Sequence, residues 1–224
     1  MLQRSWPGRQ SGAVVTSEAD MERNQRVAYF DGIADKWDGW EEDPRALRQR
    51  LREWLQRFAV ARDERVLDVG CGTGNLTAAL LEMLGEEGRV VAVDISPGML
   101  RVARGKIEDP RVSWLLADVA RLPRPAADCT RAICYSVWPH FPDRRRAARE
   151  LWRVLRPGGR LHVWHLLGRE QVNRIHATAG PAVSDDVLPP AEQTATLLAE
   201  EGFSVQQVVD DANLYLVTAS KPET

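Results

Sequence analysis

The residues from Val66 to Thr77, VLDVGCGTGNLT, concentrate the side chains and turns that could do chemistry. An apolar run typical of a buried parallel strand ends in three glycines at alternate positions, Gly70, Gly72 and Gly74. A helix-like apolar pattern begins at Leu76. Glycine lets a backbone come close to a ligand, and free N–H groups at a helix start point towards it. The segment therefore predicts a nucleotide or nucleoside site.

The spacing of the glycines narrows the choice of ligand. A dinucleotide-binding fingerprint, G-x-G-x-x-G, would have its third glycine where this chain has Asn75. Here the pattern is G-x-G-x-G, and the acidic residue Asp68 precedes it. A carboxylate repels a pyrophosphate and attracts a cation in a partly desolvated site. We therefore infer a nucleoside that carries positive charge and no phosphate.

This segment resembles the first motif of class I S-adenosylmethionine-dependent methyltransferases. Three more segments resemble motifs of that family in the same order: VVAVDIS at 90–96, LADV at 116–119 and LRPGGRL at 155–161. The resemblance extends over roughly residues 27–220. It implies S-adenosylmethionine as the methyl donor and S-adenosylhomocysteine as the product.

The resemblance also implies which residues contact the donor. Asp94, at the end of the second strand, is expected to accept hydrogen bonds from both ribose hydroxyls. Asp118 is expected to read the adenine amino group, and Asp68 to orient the amino-acid part. The other expected cofactor-binding residues are Gly70, Cys71, Gly72, Thr73, Gly74, Asn75, Ile95, Met99, Val119, Tyr135 and Trp37.

Alternating apolar runs and helical patterns predict the elements that position these residues. Strands are expected at 65–69, 89–94, 111–116, 128–134, 159–166, 203–209 and 214–219, and helices at 44–58, 75–84, 97–105, 143–155 and 190–201. Such alternation predicts parallel strands with right-handed crossovers and a ligand at their carboxyl ends. The resemblance implies an α/β, three-layer Rossmann-like class I methyltransferase fold. Its seven-stranded sheet would be mostly parallel, with an antiparallel strand near the C-terminus.

The chain is expected to comprise a disordered segment at 1–20, a helical lid or cap at 21–60 and the S-adenosylmethionine-binding domain at 61–224. Met21, where the helical pattern begins, is an alternative native start. Phe30, Ala34 and Trp37 share one helix face. This resembles the N-terminal lid of the ubiquinone/menaquinone C-methyltransferase-like branch; plain packing of the aromatic residues is the alternative.

Histidines follow the predicted fourth and fifth strands, where the acceptor is expected. His140 is the first candidate for acid/base catalysis because an unperturbed histidine titrates near neutrality; a histidine that only binds loop backbone is an equal alternative. His165 is the second catalytic candidate, and both join His176 and Asn173 as candidate substrate contacts. A polar pocket is favoured over a three-histidine metal site, so no metal is predicted. The linker with Asp185, Asp186, Pro189 and Pro190 is expected at the acceptor entrance.

Composition indicates a single globular domain of 224 residues that are 44% hydrophobic. A net charge of −2 argues against nucleic-acid binding, and the basic run at 144–146 is interpreted as a solvated helix face, with RNA contact as the alternative. Neither a bilayer-length apolar run nor a secretory signal occurs, so a cytoplasmic protein is expected. The three cysteines lack metal-binding spacing and are expected to be reduced.

The predicted reaction is methyl transfer from a sulfonium to an O, N, C or S nucleophile of a small-molecule acceptor. Such a displacement mainly needs alignment and desolvation. The alternatives are a nicotinamide-dependent reductase, a non-catalytic cofactor-binding subunit, and an RNA- or protein-directed methyltransferase. The protein is expected to be a monomer or homodimer with neither nucleic-acid nor membrane partners.

Overall fold

A computed structural model of the protein describes residues 18–40 and 43–223. Its strands are β1 (Arg65–Val69), β2 (Arg89–Asp94), β3 (Val112–Leu116), β4 (Cys129–Tyr135), β5 (Leu155–His165), β6 (Ser204–Asp210) and β7 (Tyr215–Ser220). They form a seven-stranded sheet in the order β3-β2-β1-β4-β5-β7-β6. The pairs from β3 to β5 are parallel, and β7 is antiparallel to both β5 and β6. The predicted mixed α/β sheet is confirmed.

The described helices are α1 (Glu18–Ile33), α2 (Pro44–Arg57), α3 (Asn75–Met83), α4 (Pro97–Lys106), α5 (Arg144–Val154), α6 (Arg169–Thr178) and α7 (Ala191–Glu200). Short 3₁₀ helices occupy Ala34–Trp40, Val119–Arg121 and Trp138–His140. Helix α1 begins at Glu18, three residues before the predicted lid boundary, and residues 1–17 of the segment predicted to be disordered lie outside the described residues.

Two apolar clusters, one on each face of the sheet, make three layers. Leu67 of β1 belongs to the cluster that buries α5 and α7, whereas its neighbour Val66 belongs to the cluster that buries α2 and α3. This alternation follows from the two-residue period of a strand. Among the described residues, no helix combines the length and apolar character that crossing a bilayer requires.

Strand β5 begins earlier than the sequence predicts. Leu155 already pairs with Cys129 of β4, and the ladder is then interrupted before it resumes at Arg160. The interruption contains Gly158, whose φ of 72° lies in the left-handed region. Residues 155–158, which precede the strand predicted at 159–166, are thus an irregular first part of β5.

Helix α1 and the 3₁₀ helix that follows it, residues 18–40, are called the lid, and three carboxylates attach them to the rest of the fold. Asp31 accepts hydrogen bonds from the Ser96 hydroxyl and from the backbone N–H of Gly98 at the start of α4. Asp35 pairs with Arg101 of α4 at 2.7 Å, but this ion pair is exposed to solvent. Exposed ion pairs contribute little, so Asp31 is the stronger attachment of the two.

The third carboxylate, Asp38, connects the lid to the glycine turn. It accepts from the Thr73 hydroxyl at 2.6 Å, from the Asn75 amide at 3.1 Å and from Lys106 at 2.6 Å. These contacts outweigh the effect of burial and lower the pKa of Asp38. The lid therefore contacts the same turn that the sequence assigns to the ligand.

We expect Asp31→Ala to loosen the lid, because two donors at the start of α4 lose their acceptor. Amide hydrogen exchange across residues 18–40 should accelerate by roughly tenfold, which corresponds to about 1.4 kcal/mol. Asp35→Ala is the matched control and should change exchange little. Equal acceleration in the two variants would show that the Asp31 contacts do not hold the lid.

Candidate active site

A cavity of about 320 Å³ lies at the carboxyl ends of β1 to β4, with the lid as one wall. Its size is within the range of small-molecule sites. Eight of the predicted cofactor-binding residues line it: Trp37, Gly70, Gly72, Asp94, Ile95, Met99, Asp118 and Val119. The predicted position of the site at the strand ends thus agrees with the cavity.

The glycine turn after β1 forms the floor of the cavity. Gly70 has a φ of 66°, and a Cβ added to it would lie 2.2 Å from Cγ2 of Val137, which leaves no room for a side chain. Gly72 has a φ of 52°, but no atom of the fold lies within 4 Å of its added Cβ. Gly70 is therefore required by packing, whereas Gly72 leaves open space on the cavity side.

Asp94 closes the turn from the end of β2. Its carboxylate accepts from the backbone N–H of Gly72 at 2.8 Å and from that of Ser96 at 2.9 Å. Burial raises the pKa of Asp94, although these hydrogen bonds oppose the rise. Because a carboxylate has about four lone-pair sites, it can still accept from hydroxyl groups in the cavity.

A second carboxylate, Asp118, lies at the end of β3 beside an apolar wall. It caps a 3₁₀ helix by accepting from the N–H of Ala120 at 2.9 Å, and Nε of Arg23 lies 3.7 Å from its other oxygen. Ile95 and Met99 line the cavity together with Asp118. Apolar surface with one acceptor at its edge fits a flat base that carries an amino group.

The other six predicted cofactor-binding residues do not line the cavity: Asp68, Cys71, Thr73, Gly74, Asn75 and Tyr135. The main correction concerns Asp68, which was expected to orient the amino-acid part of the donor. Its side chain is buried beneath the turn, where Thr77 Oγ1 donates to it at 2.5 Å, and burial raises its pKa to about 7. Asp94, not Asp68, therefore places negative charge at the cavity wall.

The remaining five have contacts within the fold. Thr73 and Asn75 bind Asp38 of the lid, as described above, and Tyr135 packs against the ring of Trp164 at 4.7 Å. The thiol of Cys71 is buried, which raises its pKa well above the ordinary value. The N–H of Gly74 donates to the carbonyl of Cys71 at 2.9 Å. Three amides of the turn, those of Cys71, Gly72 and Gly74, thus donate to other groups of the protein.

Of the predicted acceptor-side residues, His140 lines the cavity. Its Nδ1 lies 2.7 Å from Oδ2 of Asp186, and its ring is in edge contact with Phe30 of the lid at 5.1 Å. Asp186 also accepts from Arg26 of the lid at 2.6 Å. The alternative of a histidine that binds only loop backbone is wrong, because the partner is a carboxylate.

The other three predicted acceptor-side residues lie outside the cavity wall. His165 is fully buried, its Nε2 has no partner among the described residues, and burial lowers its pKa to about 3. Nδ1 of His176 lies 2.6 Å from the carbonyl oxygen of Asp186. The Asn173 amide exchanges two hydrogen bonds with the backbone of Leu188.

A metal site receives no support from this arrangement. The rings of His140 and His176 are 4.7 Å apart between centroids, but each Nδ1 has an oxygen partner from Asp186. Over residues 18–40 and 43–223, no group of three or more His, Cys, Asp or Glu side chains has the arrangement of a metal site.

Sequence reasoning missed Arg26 and the pairing of Asp186 with His140. Residues 26 and 186 are separated by 160 positions, so no local pattern could connect them. Asp31, Asp35 and Asp38 follow one another in steps of four and three, but α1 ends at Ile33 and the last two lie in the 3₁₀ helix, so the spacing alone does not assign their partners.

The sheet order, the glycine turn and the acids that follow β2 and β3 are those of a class I S-adenosylmethionine-dependent methyltransferase fold. Residues 66–159 match the family model described as a methyltransferase domain. The predicted resemblance is therefore confirmed for domain and fold, and S-adenosylmethionine is the donor that this domain implies. The antiparallel β7 contradicts the reductase alternative, whose last strand would be parallel.

The chain is similar to a ubiquinone/menaquinone biosynthesis C-methyltransferase, UbiE, of Proteus mirabilis. The two are 34% identical over 156 residues, which are 66% of this chain and 61% of the relative. This chain thus spans less than two thirds of that relative's length. A similar protein from Yersinia enterocolitica is 41% identical over 110 residues, or 46% of this chain and 43% of its own.

Solved structures confirm the fold. The putative methyltransferase in a complex with the Trm112 methyltransferase activator of Haloferax volcanii superposes with a TM-score of 0.71 and 20% identity, covering 86% of this chain and 97% of that one. The [4+2]-cyclase SpnF superposes with a TM-score of 0.64 and 22% identity, covering 78% of this chain and 81% of that one.

The two glycines of the turn should respond differently to alanine. Gly70→Ala should lower the free energy of unfolding by about 3 kcal/mol, because it combines a forbidden contact with left-handed strain. Gly72→Ala should cost only about 1 kcal/mol of strain but weaken S-adenosylhomocysteine binding by more than tenfold. Urea unfolding and calorimetry measure the two quantities. Full affinity in Gly72→Ala would show that the ligand does not approach this turn.

Replacing His165 by leucine tests the conclusion that Nε2 of this buried ring has no hydrogen-bond partner. Because the buried Nε2 has no partner, His165→Leu should leave the free energy of unfolding unchanged or raise it by up to about 1 kcal/mol. Urea unfolding measures this change. A loss above about 3 kcal/mol would reveal a hydrogen bond to this ring that we have not recognised.

Proposed function

We propose that this protein is a methyltransferase that transfers the methyl group of S-adenosylmethionine to a small-molecule acceptor. The observation that carries the proposal is the Asp94–Gly72 hydrogen bond, which places a carboxylate at the open side of the glycine turn inside a lidded cavity. The similarity to C-methyltransferases supports the reaction class. It leaves the acceptor atom to be determined by experiment.

The chain's own residues supply what the transfer requires. Bound S-adenosylmethionine would bring an electrophilic methyl group on a positively charged sulfur. Asp94 would accept from the ribose hydroxyls and Asp118 from the adenine amino group. Both carboxylates favour a cationic donor over a phosphate. Phe30 and Trp37 of the lid cover the cavity with aromatic surface, which excludes water from the reacting atoms.

A small acceptor fits the surroundings better than a macromolecule. The lid forms one wall of the cavity, so an acceptor must fit beneath it. Of the basic run on α5, Arg145 pairs with Glu200 and Glu201 on the outside of the fold, and Arg149, one turn further on, pairs with Glu201 at 2.7 Å. Arg144 instead donates to backbone carbonyls, and Arg146 lines the cavity. The ion pairs of Arg145 and Arg149 argue against an RNA-binding surface at these two positions.

A non-catalytic role is the second candidate. One structural neighbour is described as a cyclase and another as a complex with a methyltransferase activator, so this fold alone does not fix the reaction. The two candidates differ in turnover. Calorimetry with S-adenosylhomocysteine, followed by an acceptor screen that detects its formation from S-adenosylmethionine, separates them. Binding without turnover across the screen would favour the non-catalytic role.

Asp94→Asn tests the donor site. The amide keeps one acceptor oxygen but loses the charge and one acceptor, so S-adenosylhomocysteine binding should weaken by about 1–3 kcal/mol, or roughly 10- to 100-fold. Asp63→Asn, at an exposed position whose side chain has no hydrogen bond to the described residues, is the control and should bind normally. Unchanged affinity in Asp94→Asn would place the ribose elsewhere.

A further inference from the structure

We propose that His140 and Asp186 form a general-base pair for a hydroxylated aromatic acceptor, and that Arg26 of the lid is a positioning residue for this pair. The inference rests on the proposed function and extends it to a substrate class. It also means that the base is fully assembled only when the lid is closed.

The geometry of the pair leaves one ring nitrogen available. Nδ1 of His140 lies 2.7 Å from Oδ2 of Asp186. In the neutral ring, Nδ1 therefore carries the proton and donates a hydrogen bond to the carboxylate. The lone pair is then on Nε2. Among the described residues no group is hydrogen-bonded to Nε2, and the side chain is 11% exposed at the cavity wall. A histidine that lines the cavity thus keeps one ring nitrogen without a hydrogen bond, as a general base requires.

Arg26 holds the carboxylate of Asp186 in position beside His140. Its Nη2 donates to Oδ1 of Asp186 at 2.6 Å and its Nε to Oδ2 at 3.3 Å, in the two-point geometry of a guanidinium–carboxylate pair. Both side chains are largely buried, with 14% and 7% exposed. Burial alone would raise the pKa of Asp186, but the hydrogen bonds from His140 and Arg26 outweigh it and keep the pKa below its ordinary value.

Four elements place charged or titratable groups around His140. They are Asp186 in the loop after α6, Arg26 on α1, His176 on α6 and His165 at the end of β5. Burial lowers the pKa of His140, and the effect of Asp186, which raises it, is smaller. His176 and Arg26 lower it further. The ring is therefore neutral at pH 7 and able to take up a proton.

The side chains beside the His140–Asp186 pair indicate the chemical class of the acceptor. Phe30 and Phe141 line the cavity with His140, so a flat ring finds apolar contacts next to Nε2. A phenolic hydroxyl keeps its proton at neutral pH, since its ordinary pKa is about 10, and it therefore needs a base. An acceptor that is already unprotonated would gain nothing from this buried pair.

The step balances without a further reactant. The hydroxyl proton moves to Nε2 of His140, the oxygen's electron pair forms the bond to the methyl carbon, and the carbon–sulfur bond breaks with its pair on sulfur. His140 is left as an imidazolium paired with Asp186. The proton passes to water when the lid opens. The products are the methyl ether, S-adenosylhomocysteine and one proton.

A purely structural role, in which the three residues only hold the lid closed, predicts different measurements. Tyr29→Phe provides the matched control, because the Tyr29 hydroxyl donates to the carbonyl of Ala179 at 3.1 Å and attaches the lid without touching the pair. If the cluster only fixes the lid, this variant and Arg26→Gln should behave alike. If it orients a base, they should differ.

Nitrogen-15 NMR of the histidine rings measures the pair directly in the intact protein. We expect the His140 proton on Nδ1, with Nε2 unprotonated. Arg26→Gln removes a nearby positive charge and should raise the pKa of His140. Asp186→Asn removes the negative charge and should lower it, and Tyr29→Phe should leave it unchanged. A proton on Nε2, or the same pKa in all four proteins, would overturn the pairing.

Absorbance of 4-nitrophenol, added with saturating S-adenosylhomocysteine, tests the acceptor class. The bound phenol should give up its proton more readily in the wild-type protein than in His140→Gln, whose amide can bind Asp186 but cannot take up a proton. We expect the phenolate-to-phenol ratio of the bound probe to fall by about tenfold in His140→Gln, one pKa unit. It should rise in Arg26→Gln, because the higher pKa of His140 makes this ring the stronger base, and it should remain unchanged in Tyr29→Phe.

The outcomes separate the two proposals. Failure of S-adenosylhomocysteine to bind in calorimetry would overturn the proposed function, while the NMR measurement would still decide the pairing. Binding of S-adenosylhomocysteine without binding of 4-nitrophenol would overturn the phenolic class. An equal phenolate ratio in wild type and His140→Gln would overturn the role of His140 as base.

Discussion

The end of β2 controls the geometry of the whole site. Because β1 and β2 are parallel and in register, the turn that follows β1 lies beside the last residues of β2. The N–H of Cys71 donates to the carbonyl of Val93 at 2.9 Å, and the N–H of Gly72 to the carboxylate of Asp94 at 2.8 Å. These two hydrogen bonds hold the turn in its left-handed conformation. They also aim a buried carboxylate at the cavity, where its charge costs least when a cation is bound.

The lid depends on the same edge of the sheet. Asp31 binds the start of α4, which directly follows β2, and Asp38 binds Thr73 and Asn75 in the glycine turn. The lid is therefore attached to the same glycine turn that is proposed to bind the donor. The lid in turn carries Arg26, whose guanidinium donates to Asp186 at 2.6 Å.

The elements and the position of the cavity could be predicted because their signals are local. Apolar runs bounded by glycine located β1 and β2, and Asp94 is the last residue of β2. Predictions failed where the direction of a side chain depends on tertiary packing. Asp68 lies under the turn with Thr77, and His165 is enclosed with the ring of Tyr215 from β7 at 5.6 Å, which no pattern around either residue reveals.

The residues proposed to contact the donor and those proposed to serve the acceptor come from different parts of the chain. Gly72, Asp94 and Asp118 all lie within residues 66–159, the part that matches the methyltransferase domain model. Arg26 and Asp186 lie outside it, on segments that meet only because the lid folds back onto the loop after α6. Similarity to other methyltransferases therefore supports the donor site directly and carries less weight for the acceptor. The buried contact of Arg26, Asp186 and His140 is the feature of this chain from which the acceptor's chemistry can be argued, because titratable groups held by specific charged partners beside a cavity are typical of functional sites.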